Sequence, residues 1–199
     1  MDDDGAAEAR EEVASFMRRL YRTGLTSCSG GNISRRLPDG LVLITPSALD
    51  KGELAGRQVV AMTLSGENLS RPLRPTMEAE MHLAIYRSRP DVMAVMHAHP
   101  AFATAFACAG AEIRADLTPE TAMTLGVLAW APNHPAGSRE LAEGVAGALA
   151  GADVAIMRGH GVIAVGPSLL KAFDRIEVAE LAAKMTWILR TLGAAAEIV

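Results

Sequence analysis

Residues 78–99 read EAEMHLAIYRSRPDVMAVMHAH, and both the fold and the chemistry of the chain turn on this stretch. From Met77 to Arg89, apolar residues at Met77, Met81, Ala84 and Ile85 follow a helical spacing. The Arg89-Pro90 step ends that helix, because the residue before a proline disfavours the helical backbone. Val92 to Met96 is apolar and partly β-branched, which reads as a buried strand, and His97-Ala98-His99 closes it. Side chains two apart on a strand point the same way, so His97 and His99 project together, and two neighbouring imidazoles can share a divalent ion. Glu78 falls in the first helical turn, where the helix dipole alone would favour an acid. A third histidine, His160, is flanked by glycines in Met157-Arg158-Gly159-His160-Gly161, a setting in which backbone and ligand can approach closely.

Working outward, 199 residues with 50% hydrophobic and 21% charged content can bury a substantial core, and a single domain spanning 1–199 is expected. The net charge of −4 provides no basic stripe for nucleic acid. No run approaches the roughly 18–20 apolar residues that a membrane crossing needs. Cys28 and Cys108 follow no metal-binding or redox spacing, and no signal peptide opens the chain; a reduced, cytoplasmic protein is expected.

In chain order, Met1 to Gly5 is acidic and expected to fray, and Ala6 to Arg22 is amphipathic with Gly24 as its stop. Ser27 to Arg35 contains Gly30-Gly31-Asn32-Ile33-Ser34, a turn whose N–H groups could face an anion or simply a plain loop. Pro38-Asp39-Gly40 separates Ile33–Leu37 from Leu41–Thr45 as a hairpin, and Val59–Leu64 reads as a further strand that returns after 65–68. Ala101–Ala109 is a helix closed by Gly110, and Val127–Trp130 a strand. Ser138–Ala150 is a helix capped by Ser138, Val154–Met157 and Val162–Val165 are strands, and Ser168 caps a last helix to about Arg190.

Taken together, GGNIS at 30–34, ITPS at 44–47, Pro75-Thr76-x-Glu78-x-x-x-His82, RPDVMAVMHAH at 89–99 and GHG at 159–161 resemble the class II aldolase/adducin family, with the nearest likeness to its fuculose-phosphate aldolase branch. The resemblance spans nearly the whole chain. It implies a three-layer α/β/α sandwich around a central mixed, largely antiparallel sheet, assembled as a homotetramer with active sites at subunit boundaries. It assigns His97, His99 and His160 as zinc ligands and Glu78 as an exchangeable fourth ligand and proton carrier; manganese or cobalt could stand in for zinc. Gly31, Asn32, Ser47, Ala48, Thr76 and Met77 match the substrate-phosphate cradle. His82 takes a supporting role rather than a ligand's place, since three histidines already suit a catalytic zinc.

The implied activity is reversible cleavage of a sugar phosphate, such as L-fuculose 1-phosphate, into dihydroxyacetone phosphate and an aldehyde through a metal-stabilised enediolate. Glutamate at 78 leans toward the bond-cleaving members, since related 4-epimerases carry aspartate there. The chain departs from the family pattern in places: Ala48 replaces a glycine and Met77 a serine hydroxyl. The tyrosine proton donor of the fuculose-phosphate aldolase branch has no counterpart near 115–118, and that branch's tyrosine-bearing tail is not expected here. These departures keep a second reading open, a metal-dependent decarboxylase or dehydratase acting on a hydroxy-keto acid or ketose phosphate. Decarboxylation would want a basic residue facing the site, for which Lys51 and Arg158 are the candidates. An enzyme-inactive adducin-like interaction module would lack the ligands present here.

Overall fold

The computed structural model describes residues 3–193. Seven strands form one sheet in the order β3-β2-β1-β4-β7-β6-β5, with β1 Asn32–Arg36, β2 Val42–Ile44, β3 Val60–Met62, β4 Ala94–Ala98, β5 Leu128–Ala131, β6 Val154–Met157 and β7 Gly161–Gly166. Only β5 and β6 run parallel; every other neighbouring pair is antiparallel. Helices α1 Asp3–Arg22, α3 Ala101–Ala109, α4 Pro119–Leu125 and α6 Leu169–Thr191 cover one face, and α2 Ala79–Ser88 with α5 Arg139–Ala148 the other. This is the three-layer α/β/α sandwich with a mixed, largely antiparallel sheet.

Strand alternation divides the core between the layers. Ile33, Met96, Ala98, Ile156, Val162 and Ala164 pack toward the four-helix side, while Ile44, Val95, Met157, Ile163 and Val165 pack against α2 and α5. The same alternation turns Ser34 and His97 toward the α2 layer. No helix among the described residues is long and apolar enough to cross a membrane.

Three local readings shift. The helix begins at Asp3, so the expected fraying of 1–5 holds for none of residues 3–5, while Met1 and Asp2 lie outside the described residues. The strand expected at 92–96 is Ala94–Ala98: Met93 instead donates its N–H to the Gly166 carbonyl, and His97 and Ala98 stay in register with Ile163 and Val162. Helix α4 has no counterpart in the sequence reading, although its Thr118 cap and Pro119 at the first position are ordinary start signals. It is only seven residues long, too short to show a helical period. Residues 194–199, on which the expectation about a tail falls, lie outside the described residues.

Candidate metal centre

Antiparallel register gathers the site at one end of the sheet. Asn32, which opens β1, lies opposite His97 near the end of β4, and Ala98 lies opposite Val162 at the start of β7. His160 sits in the tight turn between β6 and β7, where its N–H donates to the Met157 carbonyl and Gly159 takes a positive φ of 66°. Gly161 has no room for a side chain: a Cβ there would lie 2.6 Å from the Ala98 carbonyl oxygen and 2.9 Å from the His99 ring. The glycine after His160 is what lets the turn close onto the histidine pair.

The three histidines present nitrogen atoms that all lie within 4.8 Å of one another. His97 is fully buried, and its Nδ1–H donates to the Val162 carbonyl at 2.9 Å, which leaves Nε2 as a lone-pair donor facing inward. His97 Nε2 lies 3.0 Å from His99 Nε2. Burial, and then the neighbouring rings, push the His97 imidazole well below its ordinary pKa, and burial followed by His160 lowers that of His99. Both are held in the neutral form that binds metal.

Glu78 completes the cluster. Sequence reading put it in the first turn of α2, where the dipole could explain it; it is instead the residue before Ala79, with φ −93° and ψ 17°, and its side chain caps nothing. The carboxylate turns under the histidines, with Oε2 3.5 Å from His97 Nε2 and Oε1 3.4 Å from His160 Nε2. Oε2 accepts a hydrogen bond from Asn32 Nδ2 at 2.7 Å, whereas Oε1 is buried with no hydrogen-bond partner. Three inward ring nitrogens and an orphaned carboxylate oxygen form a donor set that lacks only a cation, and a divalent ion fits it.

Behind Glu78 runs a buried chain of hydrogen bonds whose direction is fixed by the carboxylate. A carboxylate only accepts, so Asn32 must present Nδ2 to it and Oδ1 to His82. His82 therefore donates from Nε2 to Asn32 Oδ1 at 2.5 Å and accepts at Nδ1 from the Ser34 hydroxyl at 2.7 Å; Tyr86 OH donates to Ser34 Oγ at 2.8 Å. Burial lowers the His82 pKa to about 3, which keeps it neutral as this chain requires. Sequence reading gave His82 a supporting role but missed Ser34 and Tyr86. The signal was there: 78, 82 and 86 share one helix face, and 32 and 34 one strand face.

A pocket of about 370 Å³ opens in front of the cluster, lined by Glu78, His99 and His160 together with Gly31, Asn32, Ser47, Ala48, Lys51, Thr76 and Met77. Of the residues that the resemblance assigned to metal and phosphate, all line it except His97. Ser47 spends its N–H on the Arg74 carbonyl and its hydroxyl on that of Pro75. Ala48 holds φ 56°, a left-handed backbone that costs a side chain about 1 kcal/mol and that glycine adopts freely. Met77 is 74% exposed at the rim. Of the two basic candidates, Lys51 lines this pocket, while the Arg158 guanidinium stacks 4.7 Å from the Trp130 ring centre.

Comparison with known proteins agrees with this architecture. Residues 11–187 match the family described as Class II Aldolase and Adducin N-terminal domain. The chain belongs to the class II aldolase/adducin family. It is 34% identical to an L-fuculose phosphate aldolase of Methanococcus maripaludis over 182 residues, 91% of this chain and 97% of that one. It is 32% identical to a 3-oxo-tetronate 4-phosphate decarboxylase of Escherichia coli over 184 residues, 90% of this chain and 86% of that one. The crystal structure of L-fuculose-1-phosphate aldolase from Thermus thermophilus superposes with a TM-score of 0.82 at 27% identity, covering 98% of this chain and all of that one.

Proposed function

We propose that this chain is a metal-dependent carbon-carbon lyase of the class II aldolase type, one domain over 1–199, that reversibly cleaves a sugar phosphate such as L-fuculose 1-phosphate into dihydroxyacetone phosphate and an aldehyde. The observation that carries the reading is the partnerless Glu78 Oε1 beneath His97, His99 and His160. A divalent ion, zinc or in its place manganese or cobalt, would be held by the three histidines with Glu78 as an exchangeable ligand and would supply the Lewis acid that draws electron density from a carbonyl oxygen. Glu78 does the proton work. Asn32 pins Oε2 and leaves Oε1 to take the proton from the substrate hydroxyl as the adjacent C–C bond breaks, and to return it to the carbon of the resulting enediolate. Gly31, Asn32, Ser47, Ala48, Thr76 and Met77 frame the end of the pocket that receives the phosphate. The reading includes a homotetramer in a reducing cytoplasm, a setting in which the exposed Cys28 and Cys108 remain thiols.

A second reading, decarboxylation of a 3-oxo sugar-acid phosphate, is favoured by the similar decarboxylase of E. coli and by the lining of the pocket, which includes neither tyrosine: Tyr86 is buried against Ser34, and the Tyr21 ring packs on Gly52. Metal analysis and product analysis separate these readings. Purified protein should hold about one divalent ion per chain, and His97→Ala, His99→Ala and His160→Ala should each lose it. Loaded protein offered L-fuculose 1-phosphate should release dihydroxyacetone phosphate. Release of carbon dioxide from 3-oxo-tetronate 4-phosphate, with no cleavage of the ketose phosphate, would transfer the assignment to the decarboxylase.

A further inference from the structure

Lys51 is an unusual residue to find where it is. It opens the short turn at 51–53, is only 2% exposed, and lines the pocket together with Ser29, Gly30, Ser47 and Thr76. Its ammonium donates to the Pro46 carbonyl, and no carboxylate of the described residues forms an ion pair with it. A buried cation whose only recorded partner is a neutral carbonyl is costly unless a guest supplies the counter-charge.

The surrounding charges do not supply it. Asp50 accepts from the Gly52 N–H as the cap of the same turn. On α1, which packs against the turn, Arg18 binds the Leu54 carbonyl and is paired with Glu11. Across the pocket Glu78 is held by Asn32, beside His99 and His160. Neither the hydroxyl nor the N–H of Ser47 is free to replace a charge, both being spent on neighbouring carbonyls.

We propose that Lys51 ion-pairs with the terminal phosphate of the substrate, so that this chain grips its substrate's anionic end with a titratable amine rather than with neutral donors alone. The proposal rests on the sugar-phosphate reading above and adds the residue that would select for a phosphorylated substrate. A dianion suits the place better than a carboxylate would, because Lys51 brings a full positive charge to a cavity that the glycine loop at 30–31 and Thr76 line with further donors. Burial lowers the Lys51 pKa to about 8, so the amine is charged at neutral pH and loses its charge just above.

The test measures binding, not turnover, and so stands apart from the identity of the reaction. Metal-loaded wild type, Lys51→Met and Lys51→Arg are titrated calorimetrically with inorganic phosphate, with sulfate and with acetate between pH 6.5 and 9.5. Sulfate keeps a fixed charge across that range and isolates the titration of the protein. Lys51→Met should bind phosphate and sulfate about 10- to 100-fold more weakly at pH 7. Wild-type sulfate affinity should fall as pH rises through about 8, whereas that of Lys51→Arg should stay flat, because a guanidinium keeps its proton. The pH contrast between wild type and Lys51→Arg decides the matter even if Lys51→Met does not fold. Equal sulfate binding by wild type and Lys51→Met, a wild-type profile as flat as that of Lys51→Arg, or a Lys51-dependent acetate affinity matching that of phosphate would each overturn the proposal. Lys51-dependent phosphate binding without ketose-phosphate cleavage would instead retire the aldolase reading and leave the anion site standing.

Discussion

Glu78 and Glu80 are two residues apart and chemically alike, yet they stand in opposite surroundings. Glu80 is exposed and paired with Arg87 on the outside of α2, while Glu78 is 6% exposed and faces the histidines. Glu80 lies within α2 on its outer side, whereas Glu78 precedes the helix with φ −93° and ψ 17°, which turns its carboxylate under the histidines. Glu78→Gln keeps the shape and an oxygen for Asn32 to bind, but it cannot take up a proton. It should retain fold and metal while turnover falls about 10²- to 10⁴-fold. Glu80→Gln removes one surface ion pair, worth at most about 1 kcal/mol, and should leave turnover alone. Metal content and kcat measured on both variants check this; the reverse pattern would mean that the carboxylate has been assigned one face too far round the helix.

At the scale of the element, α2 and β1 act as a pair of facing ladders. Helix positions 78, 82 and 86 meet strand positions 32 and 34, and the resulting chain from Tyr86 through Ser34, His82 and Asn32 holds one oxygen of Glu78 and leaves the other free. Tyr86→Phe removes the outer donor from a fully buried hydroxyl and should cost about 1–3 kcal/mol in urea unfolding while sparing metal content. His82→Leu breaks the link that orients Asn32. The carboxamide can then rotate, so kcat should fall more than KM changes, with the metal retained. His82→Gln, which keeps a donor for Asn32 Oδ1, should restore part of the loss. Loss of metal from His82→Leu would show that His82 supports the ion directly instead of supporting Glu78.

For the whole molecule, burying neutral histidines has a consequence in acid. The His82 pKa falls from its ordinary 6.5 to about 3 on folding, so below pH 6.5 the unfolded chain takes up a proton that the folded one refuses. Stability contributed by this site is therefore complete above pH 6.5 and drains away as pH falls toward 3, at about 1.4 kcal/mol per pH unit. His97, lowered in the same direction, adds to the slope. Urea midpoints measured from pH 7.5 to 4.5 should fall steeply for the wild type and less steeply for His82→Leu. Parallel slopes for the two proteins would show that His82 is protonated in the fold.

How much of this was legible before folding depends on the range of the interaction. The helices and strands that shape the site follow from local rules: the stop at Arg89-Pro90, the serine caps at 138 and 168 that each accept a backbone N–H, and the apolar, β-branched runs of β4 and β7. The order of motifs likewise determined the family, and through it the histidine set, because each motif lies within a few residues of chain. Sequence placed Glu78 by its helix but not by its direction, which the sheet beneath α2 sets. It offered Lys51 and Arg158 as equivalents, and only the packing separates them, one against the pocket and the other on Trp130. It could not join Tyr86 to Ser34 across 52 residues, nor show that Glu78 Oε1 is left without a partner. Element type is decided by neighbours along the chain, whereas burial, hydrogen-bond direction and unpaired charge are decided by neighbours in space, and only the tertiary structure brings those together.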